Sequence, residues 1–439
     1  MISRMNRQRG LIALVQILGL AVWFSASAVV PTLRLEWGIS SAEAVWLTAS
    51  VQVGFVAGAL TSTVLNLADR IRPQLLLATS AAGAAACTVT LAVFVDGLSA
   101  AIPLRFLTGV FLAGVYPVGM KLMASWSPSE SRGKAFGVLI GALTLGSALP
   151  QLISGIGTLP WQQVMGTAAA ITTLGALIAA AGVRPGPYLD TQPIKPNPRY
   201  ALEMFKERGP RLANLGYFGH MWELYALWTW LPMFILAGQG NRGGGAGRQL
   251  SIVVFAAVGV AGVIGCLLGG WASDRFGRAP AATIALSVSG ACCLLSPFMF
   301  STTWVPLLVF LGVWGASVIA DSGVFSTALS EVADKRYIGT ALTAQTAVGF
   351  LLTVVTIQFV PILADAVGWQ YAFLLLAPGP VVGALAMRTL GRSIPPMKRT
   401  SHHDDKPESG THYPTGRPIS GALPNNHRQR HTALHQNQW

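Results

Sequence analysis

The chain has 439 residues, of which 52% are hydrophobic and only 11% charged, and its mean hydropathy is +0.53. A soluble protein of this size keeps much of its surface polar and carries about 25% charged residues, so a soluble enzyme is excluded. The net charge of +13 comes from short Lys and Arg clusters between apolar runs. That pattern marks membrane topology and excludes a nucleic-acid-binding face.

Crossing a bilayer takes about 20 apolar residues, and twelve runs qualify: 10–32, 43–66, 74–95, 100–125, 134–157, 161–183, 212–237, 250–272, 279–300, 304–329, 339–364 and 369–390. Each is predicted to be a helix, because lipid offers the backbone no hydrogen-bond partners. The first run follows Arg4, Arg7 and Arg9 and contains Ala26-Ser27-Ala28, the features of a secretory leader. Removing it would leave eleven spans and break the repeat described below, so it is read as a retained span.

After the sixth span, residues 184–211 hold Pro185, Pro187, Pro193, Pro196 and Pro198 and read as a stiff cytoplasmic linker. It separates an N-terminal six-helix bundle, residues 1–183, from a C-terminal one, residues 212–392. Residues 393–439 are polar and read as a disordered tail; their histidines lack the regular spacing of a metal site. Cys87, Cys266, Cys292 and Cys293 all lie in apolar runs and have no metal-ligand spacing, so no metal is expected.

With the N-terminus in the cytoplasm, 25 of the 30 Lys and Arg fall on that side. Three (Arg34, Arg242 and Arg248) fall outside, and Arg105 and Lys121 lie within the fourth span. This asymmetry puts both termini in the cytoplasm, in an inner or plasma membrane. The two halves also match each other. Asp69-Arg70 ends the second span and Asp274-Arg275 the eighth, at an offset of 205; Gly109 and Gly133 pair with Gly315 and Gly339, at 206. Two parallel six-helix repeats are a transporter plan.

Gly270-Trp-Ala-Ser-Asp274-Arg275-Phe-Gly277-Arg278 is a full Gly-x-x-x-Asp-Arg-x-Gly-Arg loop signature, and Arg105-Phe-Leu-Thr-Gly109 is an Arg-x-x-x-Gly element. On these motifs, the span count and the linker, residues 10–390 resemble the major facilitator superfamily. The first copy of the loop motif keeps only Asp69-Arg70, since Leu65 stands at its first glycine. Gly137, Gly141, Gly146 and Pro150 resemble the glycine-proline signature of the proton-coupled antiporter branch, with the proline one position off. The resemblance implies an all-α membrane fold of two rocking bundles. In it Asp274 faces the start of the fifth span and Asp69 the start of the eleventh. There each carboxylate meets the positive end of a neighbouring helix and latches the halves.

Ionisable residues inside the membrane are costly and mark function. They are Arg105, Lys121, His220, Glu223 and Asp321, all on the fourth, seventh and tenth spans, which line the family's central cavity along with the first. His220, Glu223, Leu227 and Trp230 step by 3, 4 and 3 and share one helix face. Glu223, with His220 one turn away and Asp321 beyond, is read as the proton-coupling group. Arg105, Gln16, Trp23 and Trp230 are read as substrate-binding, and Lys121 as an interfacial charge.

No nucleotide-binding Gly-x-x-x-x-Gly-Lys-Ser/Thr loop, pore filter or catalytic constellation is present, so neither an ATP-driven pump, a channel nor an enzyme is expected. The expectation is a monomeric secondary transporter without cofactor, driven by a proton gradient, whose partners are protons, a small-molecule substrate and the bilayer. Export of a small amphipathic organic compound leads. The alternative is uptake of a small organic or inorganic anion bound by Arg105.

Overall fold

Apolar runs too long for a soluble core become helices because each helix satisfies its backbone internally. The computed structural model describes residues 2–65, 67–128, 132–157, 159–189, 199–239 and 246–393. Among them every regular element is helical. They all belong to one compact unit that ends at Pro395; the expected tail lies outside the described residues.

The helices are α1 (Ile2–Gly19 and Ser25–Trp37), α2 (Trp46–Val64), α3 (Pro73–Phe94), α4 (Leu98–Ser125), α5 (Arg132–Ile156), α6 (Trp161–Gly182), α7 (Arg208–Gln239), α8 (Gln249–Phe276), α9 (Arg278–Met299), α10 (Trp304–Val332), α11 (Ile338–Val367) and α12 (Trp369–Ser393). Among the described residues, ten helices are long and apolar enough to cross a membrane. The other two of the twelve expected spans are α1 and α7. The run 10–32 is not one helix: a turn over residues 20–24 divides α1. In α7, polar groups including Asn214, His220 and Glu223 dilute the apolar content.

Packing repeats between the halves. α1 meets α5 and α6, α2 meets α4, and α3 meets α6; six helices on, α7 meets α11 and α12, α8 meets α10, and α9 meets α12. Between halves, α2 lies on α11 and α5 on α8, which exchange under the same two-fold relation. Close approach shows the repeat at atomic level. A Cβ at Gly109 would strike the Val51 carbonyl, and one at Gly315 the Ala257 carbonyl. Both pairs are related by 206 residues, so glycine lets α4 touch α2, and α10 touch α8, backbone to backbone.

The described parts of the linker pack onto the bundle. Tyr188 N–H donates to the Ser125 carbonyl at 2.9 Å. Tyr200 and Met204 are buried, and the Tyr200 hydroxyl accepts from Asp334 N–H at 2.7 Å. Pro193, Pro196 and Pro198 lie outside the described residues. The loops holding Arg72, Arg184, Arg278 and Lys335 define one end of the bundle, called here the basic end.

Candidate functional site

Helices facing the centre are interrupted where they meet. α4 breaks at Ala113–Val115, and α10 breaks at Asp321. A break frees carbonyls from the i→i−4 ladder, and buried carbonyls need donors. Gln16 of α1 reaches this break, its Nε2 donating at 3.0 Å to Val115 O, which also accepts from Gly119 N–H at 3.0 Å. In the other half, His220 of α7 reaches the break in α10. Its Nδ1 lies 2.9 Å from Asp321 Oδ1, and its Nε2 is 2.7 Å from Ser322 Oγ. The oxygen is within ion-pairing distance yet accepts no hydrogen bond of good angle. The pairs Gln16–Val115 and His220–Asp321 stand 204 and 206 residues apart. A neutral bridge in one half is thus an ionisable bridge in the other.

The expected His220–Glu223 partnership is not formed. Glu223 Oε1 accepts from Ser289 Oγ at 2.6 Å, Trp314 Nε1 at 2.6 Å and Cys293 Sγ at 3.2 Å. Residues three apart on a helix differ by about 60° in direction. That is enough for His220 to reach the α10 break while Glu223 enters the α9–α10 contact. Both are almost fully buried.

Arg105 sits differently from a ligand-binding charge. Its guanidinium donates to Leu47 O at 3.0 Å, Val22 O at 3.1 Å and Ser25 Oγ at 3.4 Å, and also to Trp23 O. It satisfies carbonyls exposed by the α1 turn and ties α1, α2 and α4 together, so its charge is committed to backbone. Trp230 also turns away from the centre: its Nε1 donates to Ile357 O at 2.8 Å and its ring packs on Trp369.

Trp23 lies at the centre, among rings from both halves. Its centroid is 5.2 Å from Phe55, 5.8 Å from Phe350 and 6.0 Å from Tyr225. Phe24, Tyr116 and Trp228 complete the cluster. Among the described residues, Trp23 Nε1 and Trp228 Nε1 have no hydrogen-bond partner, nor does either amide atom of Gln52. Gln52, Phe55, Tyr225, Trp228 and Phe350 do not stand out in the sequence as ionisable groups do, because uncharged polar and aromatic residues are common in membrane helices.

At the basic end, Asp274 closes α8 onto α5. Arg278 donates to Asp274 Oδ1 at 2.8 Å and to Ser273 Oγ at 2.8 Å. Gly277, at φ +96, ends α8. The carboxylate lies against Gly133 in the first turn of α5, where a Cβ would collide with it. Gly270 packs beside Gly133 and Gly137. Asp274 therefore meets the α5 N-terminus, as the motif implied, and Arg275 stands over the Phe276 ring at 5.9 Å. The Asp69 side chain lies outside the described residues, and Arg70 is exposed. At the matching end of α2, Thr63 Oγ1 meets Thr343 Oγ1 of α11 at 3.2 Å. Outside the spans, hydrogen bonds from Arg336 hold the Asp334 carboxyl below its ordinary value.

The Major Facilitator Superfamily model matches residues 12–357. A gallate transporter of Pseudomonas putida is 24% identical over 307 residues, covering 61% of this chain and 65% of that protein; the match thus spans just under two thirds of that relative. The niacin transporter NiaP of Acinetobacter baylyi is 25% identical over 334 residues, 65% of this chain and 72% of the relative. A probable sulfoacetate transporter, SauU, of Cupriavidus necator is 22% identical over 346 residues, 72% and 77% of the two chains.

Proposed function

The chain belongs to the Major Facilitator Superfamily, and we propose that it is a proton-coupled carrier of a small organic anion that works by alternating access. It is a transporter rather than an enzyme. Gallate, niacin and sulfoacetate, the molecules that name its relatives, are small organic anions. This kinship favours the anion alternative over export of an amphipathic compound. Two of the three bear a ring and one does not, so kinship leaves that point open.

The observation that carries the coupling is the buried His220–Asp321 contact at the α10 break. A carboxylate and an imidazole in contact can hold one shared proton, and buried polar groups across transport helices are proton-relay material. The energetics favour symport. Moving one negative charge inward against an inside-negative potential costs about 2.3 kcal/mol per 100 mV, and one accompanying proton cancels that cost. On this reading Glu223 is a packing partner of α9 and α10. Asp274 against the α5 N-terminus is a contact that breaks and reforms as the halves rock, and the basic end faces the cytoplasm.

The test is flux of radiolabelled organic acids into proteoliposomes under an imposed inward proton gradient. Accumulation above equilibrium that collapses with a protonophore supports the reading. Equilibration unaffected by the gradient would defeat the coupling, and flux of none of the acids would defeat the substrate class.

A further inference from the structure

Seven rings meet in mid-bundle, and they divide by half: Trp23, Phe24, Phe55 and Tyr116 from the first, Tyr225, Trp228 and Phe350 from the second. Of the five ring pairs in the cluster that cross between halves, Phe24–Trp228 is edge-on at 69° and four lie near parallel. Phe24–Tyr225 is at 13°, Trp23–Tyr225 at 21°, Trp23–Phe350 at 28° and Phe55–Phe350 at 30°, with centroids 4.4 to 6.0 Å apart. Rings that merely fill a core adopt edge-on as readily as stacked geometry. Here the stacked pairs follow the boundary along which the halves separate. A small parting of the halves turns each stacked pair into two parallel faces, and a flat ring fills a gap of about 3.5 Å beyond contact.

Polar groups at this boundary lack partners. Trp23 is fully buried and Trp228 nearly so, and their indole N–H groups find no acceptor among the described residues. Gln52, fully buried one helical turn before Phe55 and on the same face of α2, has both amide atoms unpartnered. Buried donors left unmade are costly, and each calls for an explanation. An anionic head within reach of these groups would supply the missing acceptor. Arg105 is already spent on backbone carbonyls, so neutral donors are what this cluster offers a carboxylate.

We infer that the seam between Trp23, Phe24 and Phe55 on one side and Tyr225, Trp228 and Phe350 on the other is the substrate slot. It takes a flat aromatic ring bearing an anionic head, gripped by stacking and by the neutral N–H donors of Trp23, Trp228 and Gln52. The inference rests on the organic-anion reading and narrows it to ring-bearing acids. In the empty carrier the protein's own rings stack across the seam; the substrate ring replaces those contacts.

The test is calorimetric binding to the purified full chain, using benzoate, cyclohexanecarboxylate and acetate as probes. Benzoate and cyclohexanecarboxylate share head group and carbon count and differ in flatness and π-face. Benzoate should bind about tenfold tighter than cyclohexanecarboxylate, the scale of two stacked faces. Trp23→Phe, which keeps the ring and removes the N–H, should weaken benzoate several-fold and leave its preference over cyclohexanecarboxylate intact. Phe350→Leu, on the opposite half, removes one face and should cut the preference to about threefold, and it tests the slot if Trp23→Phe fails to fold. Equal binding of the two six-carbon-ring acids, or a preference undiminished in Phe350→Leu, would overturn the slot. If acetate binds as well as benzoate, the ring proposal falls and organic-anion transport stands. If no acid binds or is carried, the transport reading itself falls.

Discussion

Arg105 offers the sharpest division between a structural clamp and a ligand. Its guanidinium holds the Leu47, Val22 and Trp23 carbonyls and Ser25 Oγ. Replacing it with Met keeps the bulk and removes every donor. Val22 O retains Ser25 Oγ at 2.9 Å, and Leu47 lies in the first turn of a continuous helix. Trp23 O, in the α1 turn, is left most exposed to the loss. One buried carbonyl stripped of its donor costs about 1–3 kcal/mol, and the two weakened bonds add about 1 kcal/mol. Relief from burying the cation offsets part of this. Arg105→Met should therefore lose about 2–3 kcal/mol of stability. Arg105→Lys should lose nearly as much, because an ammonium on a flexible stem cannot span three carbonyls as a planar fork does. The assay is equilibrium unfolding in mixed micelles, with anion binding measured on the folded fraction. If Arg105→Lys folds with native stability and keeps binding, while Arg105→Met folds equally well and loses it, Arg105 is a substrate ligand and the clamp reasoning is wrong.

His220→Gln and Asp321→Asn should each abolish gradient-driven accumulation while exchange of labelled for unlabelled anion persists; loss of exchange as well would point to substrate binding instead. Glu223→Gln keeps an acceptor for Ser289, Cys293 and Trp314, so accumulation should persist, with stability lower by about 1 kcal/mol on thermal unfolding. Gly133→Ala drives a methyl into the Asp274 carboxylate; it should slow turnover several-fold with binding unchanged, since the contact lies far from the ring cluster. The native cysteines are all buried, so single cysteines report topology. Ser301→Cys should react with an impermeant maleimide in intact cells, and Leu202→Cys only after permeabilisation.

Much of the fold was legible because the membrane imposes one solution on a long apolar run. Spans and repeat follow from hydropathy and an offset near 205 residues. The split in α1 was not legible, because residues 20–24 are as apolar as their neighbours; the break depends on Arg105, which lies 83 and 82 residues from Val22 and Trp23 and supplies the missing donors. Asp274 was legible since its motif specifies a turn and a helix end. The pairing of His220 was not. Period alone puts His220 and Glu223 on one face, but the break in α10 at Asp321 decides which one has a partner there. The ring cluster escaped for another reason: Trp23, Tyr225 and Phe350 come from three separate helices, and only packing brings them together.

The central claim is coupling of proton movement to anion movement through the His220–Asp321 contact. The direct measurement is proton influx, followed by a pH-sensitive dye trapped inside proteoliposomes, when an organic anion that the protein carries is added outside without any imposed gradient. The account predicts internal acidification with the wild-type chain and none with Asp321→Asn, although the variant still exchanges anion. Acidification by Asp321→Asn equal to wild type, or anion entry by the wild type with no acidification, would contradict it.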